Sequence, residues 1–317
     1  MSASKVYAVK LKDRDSLLKS TSGGAFTALS DALLQRGDAI VCAVYDYTVN
    51  IPVFRIVDSQ NQRNLARGAK YVQAEMGRIY QESVDWLLEN PSKKIAFFGL
   101  GCQAAAFRQF MTLAGLKDRV VIIDSVCHGA PSPKIWREYV ESVCGEGTLT
   151  NVNMRNKKTG WDKSVGTAIV DGTEVSIQDY RRLYSSRNIT RPSCFACPYT
   201  RMTRCTDITI GDYWHIEKTI PDFYDPIGVS LVIIHSETGN ELFEEAKPSL
   251  VFKLSNEKEC WQMNLEKPTA CPPSRDQFWR EYDKNGIQYV VEKYGKAKSL
   301  LQRTKLKFTK VLNLHET

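Results

Sequence analysis

No stretch of this 317-residue chain reaches the roughly 18 uninterrupted apolar residues that a membrane-spanning helix needs. The first twenty residues hold no apolar core of a secretory signal, so a cytoplasmic protein with reduced cysteines is expected. There is no internal repeat and no low-complexity linker, which excludes a solenoid or a string of tethered modules. A charge bias is missing too, although the net charge is +7. Lys293, Lys296, Lys298, Arg303, Lys305, Lys307 and Lys310 follow one another with no acid among them. Without these seven, 36 basic residues face 36 acidic ones. A neutral body argues against nucleic-acid binding, which wants a basic face on the fold itself.

What is present reads as an α/β chain. Apolar or alternating strands are expected at 6–12, 39–45, 51–57, 94–98, 119–124 and 228–234. Helices are expected after Gly24 as far as Gly37, around 79–87, at 101–113, 133–139 and 240–246. A further helix spans 277–294 with a break at Gly286. Short alternating runs over 149–177, divided by Lys-Thr-Gly and Asp-Gly turns, read as a β-meander. The expectation is one mixed sheet flanked by helices, with a β-meander insertion and a C-terminal helical appendage. The division is a catalytic domain over 1–235 and a C-terminal region over 236–317. Residues 293–312 space their apolar side chains helically among the basic ones. That pattern fits a docked, solvated helix or a peripheral contact with an anionic membrane.

The stretch 187–214 carries the strongest chemical signal. Cys194 and Cys197 form a Cys-x-x-Cys pair, the spacing at which two thiolates in a tight turn reach one metal centre. Zinc ribbons use two such pairs and this chain has one, so zinc would have to enlist Cys205 and His215. Cys102 and Cys127 each follow a strand of one βαβ unit, on the rim where open α/β sheets place ligands. The bland alternative is that both are small buried hydrophobes. Cys42, Cys144, Cys260 and Cys271 show no partner pattern and read as structural. Gly99-Leu100-Gly101-Cys102-Gln103-Ala104 after a strand, with Asp124 ending the next, also fits a dinucleotide fingerprint and a nicotinamide dehydrogenase. Thr21-Ser22-Gly23-Gly24 at a helix start is either a phosphate cradle or an N-cap made by Thr21 or Ser22. Six arginines (181, 182, 187, 191, 201 and 204) are suited either to hold phosphate or to pair with acids across the meander.

Taken together, these motifs resemble the beta-subunit family of the deazaflavin (F-420) hydrogenases and dehydrogenases. The resemblance covers roughly 20–235 and rests on six motifs in order. They are Thr21-Ser22-Gly23-Gly24-Ala25-Phe26, the segment 68–73 around Lys70-Tyr71, Cys102-Gln103, the loop 124–132, Arg191 to Cys197, and Asp207 to Trp214. It implies bound FAD and one 4Fe–4S cluster with ligands Cys102, Cys127, Cys194 and Cys197. It also implies that Thr21, Ser22, Gly23, Gly24, Lys70, Tyr71 and Asp212 border the flavin. Three departures stand out. Gly101 replaces the usual Pro, His215 replaces the usual Gly, and the ferredoxin-like module of many members is missing.

The expected function is an FAD- and iron–sulfur-dependent oxidoreductase. Electrons would come from an external donor: a ferredoxin-like protein, reduced deazaflavin or NAD(P)H. The substrate would be a small molecule, with bacterial relatives pointing to a sugar or sugar nucleotide in surface-polysaccharide biosynthesis. Lys70 is the candidate for stabilising a reduced flavin, and His128 for moving a proton. The competing expectations are a zinc-stabilised, non-redox assembly protein and an NAD(P)-dependent dehydrogenase.

Overall fold

A computed structural model of the chain describes residues 5–297. The N-terminal part supplies β1 (Lys5–Leu11), α1 (Arg14–Lys19), α2 (Ala25–Gln35), β2 (Ala39–Asp46), β3 (Ile51–Val57), α3 (Gln60–Ala66) and α4 (Ile79–Glu89). A βαβ unit follows: β4 (Ile95–Leu100), α5 (Gly101–Leu113) and β5 (Val120–Ser125), then α6 (Pro133–Cys144). The strands β6 (Leu149–Asn156), β7 (Val165–Val170) and β8 (Thr173–Ser176) lead to α7 (Gln178–Ser186). The chain continues through β9 (Ile208–Asp212), α8 (Ile216–Thr219), β10 (Ser230–Ile234), α9 (Glu237–Ala246), β11 (Leu250–Ser255) and α10 (Arg275–Val290).

Eight strands form one mixed sheet in the order β11-β1-β10-β9-β5-β4-β2-β3. Neighbours among β9, β5, β4 and β2 pair parallel, and the remaining pairs are antiparallel. The parallel half explains the sequence of β4 and β5. Strands covered on both faces need continuous apolar runs, and Ile95, Ala96, Phe97, Val121, Ile122 and Ile123 are at most 1% exposed. Helices α2 and α9 pack Leu29, Leu33, Leu242 and Phe243 on one face. Helices α4 and α5 pack Ile79, Leu87, Phe107 and Met111 on the other. Burying each such side chain contributes about 1.5–3 kcal/mol.

The expected meander is a separate antiparallel sheet, β6-β7-β8. It shares a third core with α6, α7 and α10, built around Trp136, Tyr180 and Phe278. Trp136 donates its indole N–H to Tyr45 Oη at 2.8 Å. The break expected at Gly286 is present as φ 76°, ψ −176°.

Among the elements that escaped the sequence pattern are α1, α3, α7 and β11. Helix α1 is six residues long and buries one side chain, Leu17. Helix α3 buries Arg63 and Ala66 and so has no apolar period. Helix α7 does bury Tyr180, Leu183 and Tyr184 at helical spacing, but arginines and serines mask it. Strand β11 carries exposed Val251, Phe252 and Leu254 at the sheet edge and pairs with β1, so the boundary expected at 235 falls inside one sheet. Cys42 and Cys260 are core residues as expected, whereas Cys271 is exposed and fills no core position. The basic C-terminal segment lies outside the described residues from 298 onward. No described helix is long and apolar enough to cross a membrane.

Candidate functional site

The C-terminal ends of β4, β5 and β9 lie side by side on one rim of the sheet. Open α/β sheets bind ligands there. A cavity of about 330 Å³ opens at this rim, within the size range of small-molecule and cofactor sites. Thr21, Ser22, Gly24, Lys70, Tyr71, Cys127, His128 and Asp212 all line it.

One wall is the start of α2. Gly23 lies so close to the strands that a Cβ would stand 2.2 Å from Val9 O and 2.3 Å from Ser230 N. Gly24 is the N-cap, in the left-handed region at φ 88°, and makes no side-chain cap; the Ser230 hydroxyl accepts from Ala25 N at 3.4 Å. The capping role expected of Thr21 or Ser22 is therefore not taken. The Ser22 hydroxyl instead donates to Val229 O at 2.7 Å, pinning the loop to β10. The remaining first-turn N–H groups and the helix dipole make this wall favourable to an anion. Arg67 borders the same cavity, and its Nε is buried with no hydrogen-bond partner among the described residues. An unpaired buried donor costs about 1–3 kcal/mol, so a ligand oxygen there would be stabilised.

Lys70 completes this side. Its ammonium donates to the carbonyls of Ala66 at 2.5 Å, Arg67 at 3.1 Å and Gly68 at 3.1 Å, across the C-terminus of α3. Cations are favoured at such ends. Burial nonetheless pushes its pKa down to about 8, against the opposing pull of Cys42. With three donors engaged, Lys70 holds the 66–70 turn and adds positive potential rather than offering a free N–H.

The opposite wall is aromatic and ionic. Tyr71 and Tyr184 stack at 4.2 Å, and Trp161 and Trp214 stack at 4.9 Å. Asp212 is bridged by Arg155 and by the Trp161 indole N–H at 3.0 Å. Burial opposes the Arg155 charge, but Asp212 and Tyr71 outweigh it and its pKa rises. Lys157 reaches from the same turn to the carbonyls of Leu17 at 3.0 Å and Ser22 at 2.8 Å. Burial, then the neighbouring Arg155, push its pKa down to about 7. Gln262, which borders the cavity, gives its N–H to Asp212 O at 3.0 Å, while its buried Oε1 has no partner among the described residues.

The thiols of Cys102, Cys127, Cys194 and Cys197 gather beside this cavity. Cys102 sits in the first turn of α5, Cys127 just past β5, and Cys194 and Cys197 on the loop after α7. Gly129 allows the approach: its missing Cβ would stand 3.5 Å from Cys194 Cβ, and its N–H donates to Cys127 Sγ at 3.3 Å. Burial pushes the Cys127 thiol up to about 12, and Cys194, Cys102 and Cys197 push it the same way. The Cys102 thiol is raised by burial, then by Cys197 and Cys194. Only backbone N–H groups pull these two pKa values down. A bound cation would favour the deprotonated form of thiols this close together.

A tetrahedral zinc shell would draw its sulfurs to roughly 3.8 Å from one another, given Zn–S bonds near 2.3 Å. Among the described residues no three Cys, His, Asp or Glu side chains converge closely enough to hold a metal ion. Cys205 is exposed. His215 is exposed too, in the left-handed region at φ 67°.

His128 donates through Nδ1 to Asn264 Oδ1 at 2.5 Å, and burial, then Arg187, lower its pKa. The dinucleotide reading loses its acid. Asp124 is 0% exposed and accepts from Arg204 at 2.6 Å, Thr206 at 3.1 Å and Thr209 at 2.6 Å. The Arg cluster divides likewise: Arg204 pairs with Asp124, Arg182 with Asp179, and Arg181 donates to Ser164 O. Arg67, Arg155, Lys157, Trp161, Tyr184 and Gln262 were not singled out by the sequence reading. They come from several segments of the chain, and no local motif marks them.

The model of the coenzyme F420 hydrogenase/dehydrogenase beta subunit, C terminus, matches residues 92–259. That span holds all four clustered cysteines and Asp212, and leaves out the α2 start and Lys70. A chain in the xenon-derivatized F420-reducing NiFe hydrogenase complex from Methanosarcina barkeri shares the fold. It is 18% identical with a TM-score of 0.55, over 91% of this chain and 90% of that one. No protein of curated function matches the sequence.

Proposed function

Because the chain belongs to the coenzyme F420 hydrogenase/dehydrogenase beta-subunit family, an oxidoreductase-type electron-transfer role is its starting point, and we propose that it is an FAD- and 4Fe–4S-dependent oxidoreductase. The gathering of four thiols beside a cavity lined by the start of α2 and by Arg67, whose buried Nε lacks a partner among the described residues, carries this reading. Cys102, Cys127, Cys194 and Cys197 would hold the cluster. The start of α2 and Arg67 would take the diphosphate of FAD. When bound, the flavin exchanges electrons in pairs and the cluster singly, so the two together join a one-electron donor to a two-electron substrate.

The chain's own residues prepare the site for this. Lys70, as its ammonium, and the α2 dipole supply positive potential without giving up a proton. Tyr71 and Tyr184 offer a flat apolar surface and exclude water from it. Asp212 fixes Arg155 toward the cavity, and Trp161 locks Asp212 in place. His128, oriented by Asn264, is the group we assign to proton movement. A small substrate presenting hydroxyl or N–H donors would meet the free acceptor of Gln262, and a sugar or sugar nucleotide fits that description. The donor is external in this reading.

Anaerobic purification followed by iron, sulfide and acid-released flavin analysis tests the proposal. About four iron atoms and one FAD per chain are expected. Zinc without iron, or protein with neither iron nor flavin, would overturn it.

A further inference from the structure

The segment holding Cys194 and Cys197 has an unusual charge pattern. From Tyr180 to Thr206 the chain carries six arginines and no Asp or Glu. Four of the six are used inside the protein. Arg181 donates to Ser164 O, Arg182 pairs with Asp179, and Arg204 pairs with Asp124. Arg187 lies over the Tyr184 ring at 4.8 Å. Arg191 and Arg201 are exposed and form no ion pair among the described residues. They flank the thiol loop: Arg191 O accepts from Cys194 N at 3.0 Å, and Arg201 donates to Pro198 O at 2.6 Å.

Two further features carry positive potential to this surface. Arg275 lies 5.4 Å over the ring of Phe195, between the two cysteines, and makes no ion pair with a described residue. The N-terminus of α5 opens here as well, with Cys102 exposed in its first turn and Gly101 against Tyr199. Helix N-termini carry about half a positive charge. The remainder of the protein is balanced, with its excess of basic residues near the C-terminus. The cations around the thiols are therefore a local collar on a neutral body.

We propose that this collar is the docking surface for an acidic one-electron carrier protein of the ferredoxin class. The proposal rests on the cluster assignment above and adds where the donor binds and which charge it carries. Opposite charge at a small, exposed patch steers encounter and raises association rates by about 10–1,000-fold at low salt. The step itself is one electron passing from the reduced carrier to the oxidised cluster, with no bond made or broken. The carrier leaves oxidised and the cluster remains reduced by one electron.

Stopped-flow reduction of the cofactor-loaded protein tests the idea with two reductants: a reduced acidic ferredoxin and the small methyl viologen radical. The second-order rate constant with ferredoxin should fall at least tenfold between 50 and 500 mM salt, an effect of the order that screening produces. The pair of changes R191E and R201E should lower it at least tenfold at low salt. The milder R191Q and R201Q pair should give an intermediate loss. Viologen reduction and iron content should stay within twofold throughout. A ferredoxin rate indifferent to salt and to both pairs, with iron retained, would overturn the docking surface while leaving the cluster reading standing. Protein without iron would overturn both.

Discussion

Gly23→Ala is the most exacting test of how the fold builds its site. The added Cβ would stand 2.2 Å from Val9 O and 2.3 Å from Ser230 N, where ordinary contact begins near 3.4 Å. Both atoms belong to backbone in register, since Val9 and Ser230 pair across β1 and β10. No rotamer relieves such a clash, so the loop must lift by more than about 1 Å. Lifting breaks Leu11 N→Gly23 O at 2.9 Å and Ser22 Oγ→Val229 O at 2.7 Å. Two lost hydrogen bonds at about 1 kcal/mol each, with about 1–3 kcal/mol of overpacking, give about 3–5 kcal/mol. At roughly 2–4 °C per kcal/mol for a chain of this size, Tm should fall on the order of 10 °C. Gly68→Ala is the control. Its Cβ meets open space, and only the left-handed φ of +90° opposes it, at about 1–2 kcal/mol. Thermal unfolding of both variants reads the packing effect, and the flavin-to-protein ratio reads the cradle. Retention of wild-type Tm within 2 °C by Gly23→Ala would refute the packing argument. Loss of Tm with full flavin would separate the loop from cofactor binding.

Asp212→Asn leaves Arg155, 5% exposed, without its carboxylate, and should cost about 3–5 kcal/mol, seen as a lower denaturation midpoint. Cys194→Ser should remove most of the iron while circular dichroism stays unchanged, and Cys205→Ser should keep its iron, since Cys205 is exposed and assigned no ligand role. Lys157 has its pKa lowered from 10.5 to about 7, so the folded state sheds a proton that the unfolded chain keeps. The resulting penalty is absent above pH 10.5, grows as pH falls, and is complete below about pH 7. Wild-type Tm should therefore rise relative to Lys157→Met between pH 7 and 9.5, and parallel profiles would contradict the assignment.

The parts of this fold that a sequence reveals are those governed by local rules. The buried runs of β4 and β5 and the limits of α5 follow from apolar continuity and from Gly101. Cys194 and Cys197 announce themselves by spacing. Cys102 and Cys127 are visible only as positions after strands, and the topology turns those positions into one place. What stayed hidden depends on distant partners. Arg155 matters because Asp212 arrives 57 residues later. Gln262 reaches Asp212 from beyond β11, the strand whose exposed Val251, Phe252 and Leu254 broke the expected alternation. Arg67 looks like any polar loop residue until the fold sets it on the same cavity as the start of α2.

Asp124 shows why a fingerprint needs its structural context. A strand, a glycine turn and a helix start form the same layout whether they cradle a pyrophosphate or present a thiol. The acid at the end of the next strand decides between the two. Here Asp124 is fully buried and paired with Arg204, which is itself 3% exposed. Removing either partner of such a pair is strongly destabilising, so the pair fixes whatever its two ends are attached to. One end is β5, three residues before Cys127. The other is the loop that follows Cys197, tied down further by Thr206 at 3.1 Å. Asp124 thus joins the segments that carry three of the four thiols, while Gly101, leading into Cys102, packs its own missing Cβ 3.1 Å from the Asp124 carboxylate. A larger side chain at 101 would press on that carboxylate and on Tyr199 together. The glycine that suggested a nucleotide turn is better explained as the clearance that lets the fourth thiol-bearing segment close on the other three.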